Sequence, residues 1–129
     1  MWLIVGGVLG ALGVTLGAFG AHGLPKWLAD HGRSVDEVTV AVSAFETAVR
    51  YQMYHALALV VIGALARQAP ARWWDVAAAL FVVGVLVFSG FLYAWVMTQV
   101  KTFALIVPLG GLAMIAGWIA LIVAALKSR

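Results

Sequence analysis

The sequence predicts an all-α integral membrane protein, a four-helix bundle whose second helix is long and amphipathic in its first half. Three observations lead there. Of 129 residues 65% are hydrophobic and 10% charged, with a mean hydropathy of +1.08, and a soluble chain of this size has too little interior to hide so much apolar surface. The apolar residues fall into four runs, at about 2–22, 37–66, 73–98 and 104–126, each long enough to cross a hydrocarbon core of about 30 Å. Most Pro and charged residues stand between those runs, where a chain leaves the lipid. Residues 1–129 thus read as a single transmembrane domain.

The first run, Trp2 to Ala21, rivals a secretory signal because Ala18-Phe19-Gly20-Ala21 offers small residues for cleavage, but the positive n-region of a signal is missing. It is read as a retained helix that ends near Gly23, with Pro25 as a stop. Residues 24–36 then form the longest polar connection. Ser34 or Asp36 suits an N-cap, and Glu37, three residues after Ser34, completes a capping-box pattern. From there to Ala66 the chain has no Pro and only Gly63, which predicts an unbroken helix longer than a bilayer needs. Its first half places Val38, Val42, Phe45, Val49 and Met53 on one stripe and Ser43, Glu46, Thr47, Arg50 and Tyr54 elsewhere, while Ala56 to Ala66 is apolar all round. The third run spans Trp73 to Thr98. The fourth starts near Phe103 or at Pro108, where Pro108 and Gly110-Gly111 predict a helix start or a break.

Four crossings put both termini on one side, with Arg67, Arg72, Lys127 and Arg129, against Lys26, Arg33 and Lys101 on the other. The bias is small when Arg50 is counted with the second group, and both termini are assigned to the cytoplasm. Trp2, Trp73 and Trp74 mark one interface, Trp27 and Trp95 the other. The net charge of +3 is spread singly through loops, without a basic stripe or a phosphate loop, so nucleic acid is not an expected partner. Cysteine is absent, which removes disulfides and thiolate chemistry.

Polar residues inside a bilayer are costly and mark candidate sites. Glu46 and Arg50 stand four apart in the favoured order for an intrahelical pair, either solvating an interfacial stretch or forming an ion site within the bundle. Tyr51 and His55 are another such pair. His55 lies deep in the apolar layer and needs a hydrogen-bond partner, for which Tyr51, Ser89, Tyr93 and His22 are the candidates. Together His22, Glu46, Arg50, Tyr51, His55, Ser89 and Tyr93 make a candidate polar cavity. Gly6, Gly10, Gly13, Gly17 and Gly20, at spacings of four, three, four and three, make a smooth helix-packing groove. No pair of histidines has zincin spacing and no serine sits in a nucleophile elbow, so the sequence points away from an enzyme and calls for no metal or cofactor.

The segments Gly17-Ala18-Phe19-Gly20-Ala21-His22-Gly23-Leu24, Phe45 to Ala58 with its Tyr51-Gln52-Met53-Tyr54-His55 core, Phe88-Ser89-Gly90 with Leu92-Tyr93, Pro108-Leu109-Gly110-Gly111 and Gly117-Trp118 together resemble the YgdD and YwdK family of small bacterial inner-membrane proteins. That resemblance implies four membrane spans and a bacterial inner-membrane location. It implies no reaction, cofactor or catalytic residue, because the family is classed as one of unknown function. Two functions fit the residues. One is a structural or accessory component that packs within the lipid bilayer, as a homo-oligomer or in a larger membrane complex. The alternative is binding or transport of a small molecule, ion or lipid through the polar cavity.

Overall fold

The computed structural model describes residues 1–127. Five helices follow one another, α1 (Trp2–His22), α2 (Leu24–Asp30), α3 (Val35–Gln68), α4 (Arg72–Thr98) and α5 (Lys101–Lys127), and four of them are long and apolar enough to cross a membrane. Helices α3 and α4 form the central pair, with α1 packed on α3 and α5 packed on α4. The long helices alternate in direction. Gly6 of α1 meets Ala56 and Val60 of α3, whereas Gly20 meets Phe45, and Gly117 of α5 meets Phe81 of α4, whereas Gly110 meets Phe88.

The outside of this bundle is apolar as well as its inside, unlike that of a soluble protein. Leu105, Leu109, Leu112, Ile115, Ile119 and Ile122 line the exposed side of α5, while Ala77, Ala78, Ala120 and Ala124 are buried between α4 and α5. Lipid is as apolar as leucine, so burying leucine between helices gains little, and small residues that let backbones approach are what hold such helices together. Large apolar side chains therefore cover the lipid-facing side, while small residues stand beside Leu59, Ile62 and Phe81 in the interior and let the backbones approach.

The long α3 is continuous, as the absence of helix breakers predicts. Ser34 caps it with both halves of the box: Ser34 Oγ accepts from the Glu37 N–H at 3.3 Å and Glu37 Oε2 accepts from the Ser34 N–H at 2.8 Å. At 34 residues the helix is roughly 51 Å long, against a core of about 30 Å. The excess lies at its start. The end of α1 is reached where Gly20 meets Phe45, so residues 35–44 continue past it, covered instead by α2.

Three expectations need correction. Residues 24–36 are not wholly a polar connection, since Leu24–Asp30 is a helix whose Leu24 and Leu28 are fully buried against Ala41, Phe45 and Val96. Pro25 is no stop, because Gly23 keeps right-handed angles (φ −97°, ψ −41°) and proline then occupies the first turn of α2, where its missing N–H is no loss. Pro108 neither starts nor breaks the fourth span, which runs through it from Lys101 to Lys127. The Pro108 ring faces outward, so the helix forfeits one internal hydrogen bond while Val107 and Gly110 beside it stay buried.

Candidate functional site

The buried residues of α3 are Ala41, Phe45, Ala48, Gln52, His55, Ala56, Leu59 and Ile62. Apart from Ala56 their spacings alternate four and three, a seven-residue repeat that keeps one seam facing its neighbours along the helix. Val38, Val42, Val49 and Met53 are only half-buried, so the stripe expected from hydrophobicity alone borders this seam and shares only Phe45 with it. Two positions of the seam are polar, Gln52 and His55, one turn apart.

Gln52 is tied to α1 and α4, and His55 to its own helix and α5. Gln52 Nε2 donates to the Leu9 carbonyl of α1 at 2.8 Å, and its Oε1 accepts from the Tyr93 hydroxyl of α4 at 2.9 Å. One turn toward the start of α3, Ser89 of α4 donates from Oγ to the Ala48 carbonyl at 2.7 Å. His55, 3% exposed, has Nδ1 2.7 Å from the Tyr51 carbonyl and receives the indole N–H of Trp118, from α5, on Nε2 at 3.2 Å. A carbonyl can only accept and an indole N–H can only donate. The network therefore assigns a neutral ring with its proton on Nδ1. Phe81 and Trp118 pack edge-on to that ring, with centroids 5.0 and 6.0 Å away. Among the described residues no buried side-chain nitrogen or oxygen lacks a hydrogen-bond partner, as groups removed from water require.

The seven polar residues picked from sequence separate into two sets. His55, Ser89 and Tyr93 belong to the inner network. His22, Glu46, Arg50 and Tyr51 have exposed side chains, although the Tyr51 carbonyl serves His55 and its ring lies against Phe88, centroids 4.7 Å apart. The division follows from helix geometry, because nine residues at 100° each put Glu46 on the opposite side from His55. Glu46 and Arg50 do not form the expected pair, since the only ion pair within 4.0 Å among the described residues is Lys26–Asp30. Instead they edge a shallow groove of about 210 Å³ between α1 and α3, floored by Gly17, Gly20 and Phe45.

Along α1, a Cβ on Gly6 would lie 2.7 Å from the Ala56 carbonyl, one on Gly20 2.9 Å from the Phe45 ring, one on Gly17 3.3 Å from Val49 and one on Gly13 against Met53. Gly10 faces open space. The sequence reading missed Gln52 and the hydrogen-bonding role of Trp118. The available signal for Gln52 was its place in the seven-residue repeat with Phe45 and Leu59. Among the described residues no three His, Asp or Glu side chains converge as a metal site.

Four apolar spans with a satisfied polar network at their centre define a multi-pass helical membrane protein. The family model described as "Protein of unknown function (DUF423)" matches residues 16–111, and the chain belongs to that family. It is 40% identical to a UPF0382 membrane protein of Staphylococcus aureus (strain bovine RF122 / ET3-1), over 98% of this chain and 96% of the relative. It is 39% identical to the UPF0382 membrane protein YwdK of Bacillus subtilis (strain 168), over 98% of this chain and 97% of the relative. No solved structure matches it.

Proposed function

We propose that this protein is a structural or accessory component of a bacterial inner membrane, with both termini in the cytoplasm, that presents the α1–α3 groove to a second membrane protein or to its own copy. One observation carries the reading. The interior polar groups are consumed in bonds between helices, whereas Glu46 and Arg50, the charged residues of α3 away from its first and last turns, stand on the outer face beside a glycine-floored groove. A transport pathway needs polar groups free to exchange partners with a solute, and the inner network offers few. Exposed charges at the edge of lipid are stabilised by headgroups or by complementary charges of a neighbour.

The test is native electrophoresis of the protein extracted from its own membrane into polymer-bounded lipid discs. The expected result is an assembly well above the 13.7 kDa of the chain that is released by Gly17→Phe and by the pair Glu46→Ala with Arg50→Ala, while circular dichroism stays helical. Migration as a lone chain, or indifference to these substitutions, would overturn the reading. A carboxy-terminal green fluorescent fusion should fluoresce and an alkaline phosphatase fusion should stay inactive if the termini face the cytoplasm.

A further inference from the structure

At the end of the bundle away from the termini, the start of α3, the end of α4 and the start of α5 surround a cavity of about 390 Å³. This falls within the roughly 300–1,000 Å³ of ordinary ligand pockets. Its wall is apolar, with Val40 from α3 and Trp95 from α4, and four charged side chains stand around it, Arg33, Asp36, Glu37 and Lys101. The cavity lies beyond the point where Gly20 meets Phe45 and α1 ends, which is the depth of headgroups rather than of acyl chains.

The charges are held but not neutralised. Arg33 donates from Nη2 to the Val96 carbonyl at 3.0 Å. With its amide turned to accept, the Gln99 side-chain oxygen takes Arg33 Nε at 2.8 Å and also meets Nη1. Gln99 reaches this place from the left-handed turn (φ 59°) that ends α4. Neutral oxygens thus fix the guanidinium in position, and its charge, which acts on the Glu37 carboxylate without a direct ion pair, stays open to a ligand. None of the four groups forms an ion pair within 4.0 Å, since the only such pair among the described residues is Lys26–Asp30. Lys101 begins α5, where the unpaired N–H groups of a first turn add to the pull on an anion.

A simple anion entering here meets two carboxylates, and a simple cation meets a guanidinium and an ammonium. A ligand carrying both signs a few bonds apart is attracted by both sets. We propose that this cavity seats a zwitterionic headgroup of the phosphoethanolamine class, its phosphate against Arg33 and Lys101, its primary ammonium against Asp36 and Glu37, and its lipid backbone along Val40 and Trp95. A primary ammonium can donate hydrogen bonds to carboxylates, which a quaternary one cannot. The seat therefore selects ethanolamine over choline, and the two acids select it over a plain anionic headgroup.

The experiment uses the full chain, delipidated in maltoside micelles and titrated separately with dioleoyl-phosphatidylethanolamine, -phosphatidylcholine and -phosphatidylglycerol, with bound lipid counted by native mass spectrometry. Ethanolamine lipid should be retained at least about fivefold better than the other two, and Asp36→Asn and Lys101→Gln, both at exposed side chains, should each remove most of that preference. Soluble phosphoethanolamine added in excess separates the sources. Displacement assigns recognition to the headgroup alone, and retention of the lipid assigns it to headgroup and lipid backbone together. Equal retention of the three lipids, or an unchanged preference in both variants, overturns the proposal. The groove test reads assembly size through Gly17, Glu46 and Arg50, so either idea can fail without the other.

Discussion

Replacing Gln52 by Leu tests whether the polar seam holds the bundle together. The residue is 4% exposed and makes two bonds at once, to Leu9 O at 2.8 Å and from Tyr93 Oη at 2.9 Å. Hydrogen bonds between membrane helices contribute about 0.6 kcal/mol on average and about 1.7 at most, so losing both costs roughly 1–3 kcal/mol, less whatever leucine regains by packing. Tyr93→Phe removes one of the two and should cost roughly 0.6–1.7 kcal/mol. Because the Tyr93 bond is lost in either single variant, the double variant should fall short of the sum by about the value of that bond. Unfolding measured by steric trapping in bicelles gives all four corners of the cycle. Strict additivity, or a Gln52→Leu variant as stable as the parent, would refute the claim that this bond contributes to the fold.

Glycine contacts supply a second contrast. A Cβ on Gly110 would strike the backbone of Phe88, which cannot rotate away, so Gly110→Ala should destabilise by roughly 1–3 kcal/mol, whereas Gly10→Ala, into open space, should be neutral or stabilise by up to about 1 kcal/mol; the same unfolding assay compares them. Nitrogen-15 resonances of labelled histidine should show His55 neutral with its proton on Nδ1, and Trp118→Phe should move the Nε2 resonance of His55 without moving those of His22 or His31. Ser34→Ala should cost about 1 kcal/mol, confined to faster amide exchange at residues 35–37, because the two bonds of the capping box lie outside the bundle.

The spans were legible because lipid-facing surface must be apolar whatever the helices do inside, and that requirement writes itself over some 20 consecutive residues. The helix start at Ser34 was legible because a capping box is a local arrangement of two side chains and two backbone groups. What escaped was tertiary. Leu24 and Leu28 are four apart, but among Pro25, Lys26 and Asp30 their spacing carries no signal until α3 and Val96 are there to bury them. Gln52 is hard to read as a site residue because it offers neither charge nor proton chemistry, and its value lies in an uncharged amide that donates on one side and accepts on the other. For Glu46 and Arg50 the sequence leaves an interfacial place and a place within the bundle both open, since period alone does not say which side of a helix meets protein.

The placement of Gln52 and His55 has a physical reason beyond their individual bonds. Where lipid supplies no hydrophobic drive between helices, an apolar seam of Ala, Gly, Phe and Leu fixes how close two helices come but resists sliding along their axes only weakly. A polar group that must find one particular partner does resist it, as a single buried polar residue fixes register in a coiled coil at some cost in stability. Here one turn of α3 carries both such groups, and their partners lie on all three other spans, Leu9 on α1, Tyr93 on α4 and Trp118 on α5. The register of the four helices is thereby referred to residues 52–55, near the middle of the membrane. A slip of any one span would strand a donor or an acceptor in hydrocarbon, where an unmet hydrogen bond costs several kcal/mol.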